Sequence, residues 1–270
     1  MGLDRTVIAA VAAFLGAAAA SAADLPTRKP APALPAAQAV AADWSGFYFG
    51  LNGGYGRGSS TNSYQVFSTT LLNFPTITDA VDGAGSQSMI EPGGLFGAQA
   101  GYLWEAQNFY VMGVEGEADW STMTGSVNTD APLPVFGGNF TSTQRLDVHW
   151  TSSLRARLGV VAMPDVLLYA TGGAALAGIR YSSVFNDRFN EYETVSLTSA
   201  KPGWVAGAGI EYKFASAWSA RLEYLHSQYS ASNGQSTVGL SDGTIATVDH
   251  SSGIVKVDSI RLAVNYFLGN

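Results

Sequence analysis

The chain has 270 residues, 47% hydrophobic and 13% charged, with a net charge of -7 and no cysteine. The balance argues against a nucleic-acid partner, because phosphate binding needs clustered Lys and Arg and the 14 present are scattered. Missing cysteine removes disulfide scaffolds and thiolate metal sites. Beyond the N-terminus nothing approaches the run of about 20 apolar residues that a membrane helix needs, so apolar surface must come in short alternating pieces.

Residues 1–22 read as a secretory signal: Arg5 precedes the apolar stretch Val7 to Ala20, and Ala20-Ser21-Ala22 fits the small-x-small cleavage rule. The competing reading, a membrane anchor, lacks the length and the stop-transfer flank. Residues 23–43 carry Pro26, Pro30, Pro32 and Pro35 among alanines and form a semi-extended periplasmic linker. Residues 44–270 form the third part, the barrel.

Its first strand, Trp44 to Tyr55, turns Phe47, Phe49, Leu51 and Tyr55 to one face and Tyr48, Asn52 and glycines to the other, leaving room inside. Arg57 to Pro92 follows as a long polar excursion. The second strand, Gly94 to Glu105, faces Phe96, Ala98, Ala100, Tyr102 and Trp104 outward. Three residues later the third sets Tyr110, Met112, Val114 and Trp120 outward against Glu115, Glu117 and Asp119 inward. Ser121 to Gln144 is a second long loop.

The fourth strand, Leu146 to Ala162, is the plainest: Leu146, Val148, Trp150, Leu154, Leu158 and Val160 share a face, with Asp147, His149, Thr151, Arg155 and Arg157 opposite. Its period of 2 marks a strand, and its length exceeds the roughly 5–6 residues usual in soluble sheets. A tilted strand crossing a bilayer needs roughly 9–11 residues with two such faces. The fifth strand, Leu167 to Tyr181, is blurred by Gly172-Gly173-Ala174-Ala175; Leu167, Tyr169, Thr171, Ile179 and Tyr181 are expected outward and Arg180 inward. A polar loop runs to about Pro202. The sixth strand turns Trp204, Ile210, Tyr212 and Phe214 outward and Glu211 and Lys213 inward. The seventh places Trp218, Leu222 and Tyr224 against Arg221 and Glu223. After a last loop, Ser230 to Gly253, the eighth sets Ile260, Leu262, Val264 and Tyr266 outward and Arg261 and Asn265 inward.

The expected fold is all-β, an eight-stranded antiparallel up-and-down transmembrane β-barrel. A soluble barrel with an apolar cavity gives the same alternation. Short turns at one end and long polar loops at the other favour the membrane form, as do aromatics in two girdles, among them Trp104, Tyr110, Tyr212, Trp218 and Tyr266 beside the turns and Trp120 and Trp204 towards the loops.

With these strands placed, the sequence resembles the small alphaproteobacterial outer-membrane immunogenic proteins, relatives of the opacity-type surface antigens. The resemblance rests on Ala-Ala-Asp-Leu-Pro at 22–26, Trp-Ser-Gly-Phe-Tyr-Phe-Gly at 44–50, Leu-Leu-Tyr-Ala-Thr-Gly-Gly at 167–173, Gly-Trp-Val-Ala-Gly-Ala-Gly-Ile-Glu-Tyr at 203–212 and Glu-Tyr-Leu at 223–225. It implies an eight-stranded barrel in the bacterial outer membrane, structural, porin-like or antigenic, with no catalytic residues to transfer. Such barrels are expected to end on an aromatic residue that helps assembly; here Tyr266-Phe267 is followed by Leu268-Gly269-Asn270.

The candidate site is the set of interior charges: Glu115, Glu117, Asp119, Arg155, Arg157, Glu211, Arg221, Glu223 and Arg261. In the simplest register Glu115 faces Arg157, Glu117 faces Arg155, Glu211 faces Arg221 and Glu223 faces Arg261. An eight-stranded barrel is just wide enough for side chains to fill, so a polar plug is favoured over an ion path. His149 beside Asp147, and His250-Ser251-Ser252, are the only hints of acid/base or lipid-hydrolase chemistry, and no positioned triad completes either. No two histidines stand at metal-ligand spacing. No enzyme activity, cofactor or metal is expected. The expected partners are outer-membrane lipid, lipopolysaccharide and the barrel-assembly machinery, with the long loops extracellular and both termini periplasmic. A host surface or haem held by loop aromatics (Tyr64, Phe67, Phe74, Phe136, Phe140, Phe185, Phe189, Tyr192) is the alternative.

Overall fold

In the computed structural model, residues 43–67, 79–80, 82–83, 86–107, 109–132, 137–187, 192–239 and 245–268 are described. They lie in the compact unit Ala39–Asn270. The signal and nearly all of the linker lie outside them. Ten strands are present among these residues: β1 (Gly46–Phe67), β2 (Ser88–Ala106), β3 (Tyr110–Pro132), β4 (Asn139–Met163), β5 (Val166–Asp187), β6 (Tyr192–Ala215), β7 (Trp218–Tyr229), β8 (Ser232–Gly239), β9 (Ile245–Ser252) and β10 (Val255–Leu268). Eight of them close a ring in the order β10-β7-β6-β5-β4-β3-β2-β1, sealed by β1 against β10. Every strand pairing among the described residues is antiparallel, from Phe47↔Leu268 at that seam to Ala215↔Trp218 at a turn.

Burial inverts the arrangement of a soluble protein. Leu51, Leu154, Leu158 and Leu262 are 65–71% exposed on the outer wall, while Arg155 and Arg157 are each 1% exposed inside. Such an outer surface is stable only against hydrocarbon, and closure leaves no unpaired edge within the belt.

Three expectations are corrected by the ladder. The polar stretches read as loops are largely strand: β3 and β4 stay paired out to Pro132↔Asn139 and β5 and β6 to Asn186↔Tyr192. The stretch from Ser230 to Gly253 holds the hairpin β8–β9, whose second strand pairs with β1 from Asn62 to Phe67. Outside lipid a ladder needs no apolar face, so serine and threonine carry it without the signal that hydropathy reads.

The fifth strand faces the other way. Leu167, Tyr169, Thr171, Ile179 and Tyr181 are buried inside, whereas Leu168, Leu176 and Arg180 are exposed. A one-residue error in phase flips every side chain, and the small residues in its middle hid the phase.

The fourth strand changes face part-way. Register slips between Val148 and Trp150 against β5, making His149 an extra residue. Below it Arg155 and Arg157 point inward and Trp150 outward; above it Leu146 and Val148 are buried and Arg145 is exposed. Gly178 lies beneath Trp150, where a Cβ would fall 2.2 Å from the indole nitrogen. The expectation of Leu146 and Val148 on the lipid face and Asp147 inside is thereby overturned.

Candidate functional site

The interior is built in layers along the barrel axis. Towards the short turns, Trp44, Tyr48, Leu103, Val111, Leu167, Tyr169 and Phe267 pack as one apolar cluster. Towards the loops a second forms around Leu95, Met123, Leu146, Val148, Ile179, Tyr181, Val205 and Leu225. Between them lies a band of charge. Glu115, Glu117, Asp119, Arg155, Arg157, Glu211, Arg221, Glu223 and Arg261 are all at most 7% exposed.

Glu115 is the hub. It pairs with Arg155, with Arg221 at 2.5 Å and with Arg157 at 3.5 Å, and accepts the Tyr48 hydroxyl. Arg155 also reaches Glu117 at 2.7 Å and Glu223 at 3.2 Å. Arg157 holds Glu211 at 2.6 Å and lies 3.9 Å from the centre of the Tyr169 ring, whose hydroxyl donates to Glu223 at 2.8 Å. Arg261 pairs with Asp119 at 2.6 Å and with Glu117. Asn265 links the band to the seam, donating to Glu211 at 2.8 Å and accepting from Gln99 at 2.7 Å. Charge-assisted bonds of this kind satisfy groups that would be costly to bury alone.

The pairing differs in detail from the simplest register. Glu115 sits opposite Arg155, and Arg157 opposite Gly113. Glu211↔Arg221 and Glu223↔Arg261 are in register, yet Arg221 pairs with Glu115, and Arg261 with Glu117 and Asp119. Strands in a barrel are staggered, and long side chains meet across the lumen rather than along the rung. Glycine makes that possible: at Gly50 a Cβ would fall 2.1 Å from Asn265 Oδ1, and at Gly97 2.2 Å from Asp119 Oδ1. Tyr48 and Tyr169 belong to the plug and were missed, Tyr169 through the inverted phase of β5. Lys213 at the turn end is also buried, 4.1 Å from the centre of the Phe267 ring.

Of the girdle residues, Trp104, Tyr110, Trp120, Trp204, Tyr212 and Trp218 are 44–59% exposed on the outer wall. Tyr266 is half-buried between Phe49 and Trp218. Phe267 points inside and Leu268 outside, so Tyr266 is the outward aromatic nearest the end of β10.

Asp147 is bonded to Arg145 and Thr124. His226 contacts Asp258 at 2.8 Å, which Tyr224 also reaches, an outer-wall cluster spread over two strands that sequence reading missed. The side chain of His250 lies outside the described residues. Among the described residues no group of three His, Asp or Glu side chains is placed to hold a metal ion. Phe140 and Phe185 are buried, their ring centres 5.5 Å apart. The other loop aromatics have side chains outside the described residues.

A family model described as outer membrane protein beta-barrel domain matches residues 7–266. The 31 kDa outer-membrane immunogenic protein of Brucella melitensis is 30% identical over 97% of this chain and 99% of its own. The 25 kDa outer-membrane immunogenic protein of Brucella abortus is 28% identical over 86% of this chain and 87% of its own. Among solved structures, the outer membrane protein OprG of Pseudomonas aeruginosa is similar at 11% identity with a TM-score of 0.44, covering 83% of this chain and 97% of that one.

Proposed function

Since the chain belongs to the outer membrane protein beta-barrel family, we propose that this outer-membrane surface protein serves a structural, antigenic envelope role with its lumen closed to solutes. The filled interior carries this reading: a charged band buried between two apolar clusters supports a plug rather than a path. It favours the structural half of the expectation over diffusion. The relatives are named as immunogenic outer-membrane proteins, not as enzymes, which supports a non-catalytic role. We further propose that residues 1–22 direct export, that residues 23–43 remain a periplasmic linker, that the barrel-assembly machinery inserts the chain, and that the loop end faces outward.

Planar-bilayer recording of the refolded mature chain, beside Arg155→Ala, tests the plug. Wild type is expected to be silent. Steady single-channel steps from the wild type overturn the closed-lumen reading. Protease shaving of intact cells tests direction, with cleavage expected between β1 and β2.

A further inference from the structure

Outside the interior, the cations of the described residues are Arg57, Arg145, Arg180, Lys201 and Lys256, all in the loop-side halves of their strands. Two of them are brought together by the bulge. Because His149 is extra, Arg145 and Asp147 leave the lumen for the outer wall, where Asp147 stands in register with Arg180 of β5. Without that residue Arg145 would point into the barrel. Bulges commonly re-aim a side chain in this way.

The result is a recess of about 520 Å³ on the outer wall, lined by Thr122, Thr124, Arg145, His149, Arg180 and Ser182 among others. Asp147 takes the Nε edge of Arg145 through both carboxylate oxygens at 3.0 Å and accepts from Thr124, fixing the guanidinium in place. Arg180 likewise commits Nε, to Thr198 at 3.2 Å. His149 Nε2 is buried without a hydrogen-bond partner among the described residues. The recess opens just beyond the outward pair Trp120↔Trp150, two or three residues up the strand, roughly 7–10 Å at strand rise. Tryptophan girdles mark the headgroup level of a membrane.

We propose that this recess binds the phosphorylated sugar headgroup of an outer-leaflet glycolipid of the lipid A class. The two guanidiniums suit phosphate, which they contact through paired N–H groups. The threonine and serine hydroxyls suit a sugar. Continuity with the exposed Trp120, Trp150 and Leu176 wall gives the acyl chains a path down the barrel and selects a lipid over a free anion. The inference rests on the proposed outward direction of the loop end, since that leaflet holds this glycolipid.

The test uses the refolded mature chain in detergent micelles, where no direction is imposed, with bisphosphorylated lipid A retained on the barrel counted by native mass spectrometry. Arg145→Ala/Arg180→Ala is expected to lower the bound fraction about tenfold or more, as loss of two charge-assisted contacts implies. Phosphatase-treated lipid A on the wild type should fall equally. Arg57→Ala/Lys256→Ala, matched in charge and on other strands, should retain the wild-type level, and every variant must keep the heat-modifiable band of the folded barrel. Equal loss in both double variants would mean diffuse charge, and undiminished binding in the first, or to dephosphorylated lipid, would mean no phosphate site; either overturns the proposal. Inorganic pyrophosphate that competes at the same concentration as the lipid overturns the choice of a glycolipid. Failure of the shaving experiment alone would reverse the direction and leave this binding result standing.

Discussion

The lipid-embedded half of the barrel and the half that projects beyond it are made by the same strands under different chemistry. In the lower half each of the eight ring strands pairs on both sides, polar groups are confined inside, and the outer wall is apolar. In the upper half the β2–β3 ladder reaches only Leu95↔Ser121 and the β6–β7 ladder only Gly203↔Tyr229, while β3, β4, β5 and β6 continue together and β9 replaces β10 beside β1. Where hydrocarbon forbids an open backbone group, the ring must be whole. Where water can serve the backbone, it divides.

That contrast can be broken from the inside first. Glu115→Ala strips three arginines of their shared acceptor and is expected to cost about 3–5 kcal/mol, less where water enters, read as a lower urea midpoint in detergent. From outside, Leu154→Arg places a charge near mid-belt, midway between the Tyr110 and Trp120 levels; about 2–4 kcal/mol is expected by the same measurement in lipid vesicles. Gly97→Val would push a Cβ to 2.2 Å from Ala118 O, and overpacking of this kind costs about 1–3 kcal/mol. Asn128→Arg, on the exposed face of the projecting part of β3, should move the midpoint by no more than about 0.5 kcal/mol. Equal effects for Leu154→Arg and Asn128→Arg would show that the two halves do not differ as described.

What sequence reading recovered follows the same division. The strands were legible wherever lipid imposes a period of 2, as in Phe47, Phe49 and Leu51 or Ala220 and Leu222, and the interior charges came with them because they occupy the alternate positions. β5 failed because Gly172, Gly173, Ala174 and Ala175 fit either face, leaving Tyr169 expected on the outer wall. The fourth strand failed above Trp150 because a bulge is a count of residues against two neighbours, visible only once Val148 and Trp150 are paired with Ile179 and Gly178. The projecting strands failed because serine and threonine ladders carry no hydropathy signal.

The seam between β1 and β10 has a consequence for the order of events during assembly. β10 follows the other ring strands in chain order, and it brings Arg261 to Glu117 and Asp119 and Asn265 to Glu211 and Gln99. Until it arrives, Asp119 lacks its arginine, Glu117 has one arginine instead of two, and the sheet lacks its final neighbour. Closing the cylinder and supplying the last arginine of its interior therefore coincide, and β10 works as a clasp: a partly inserted chain is both open and short of a cation, which leaves little middle ground between unassembled and finished.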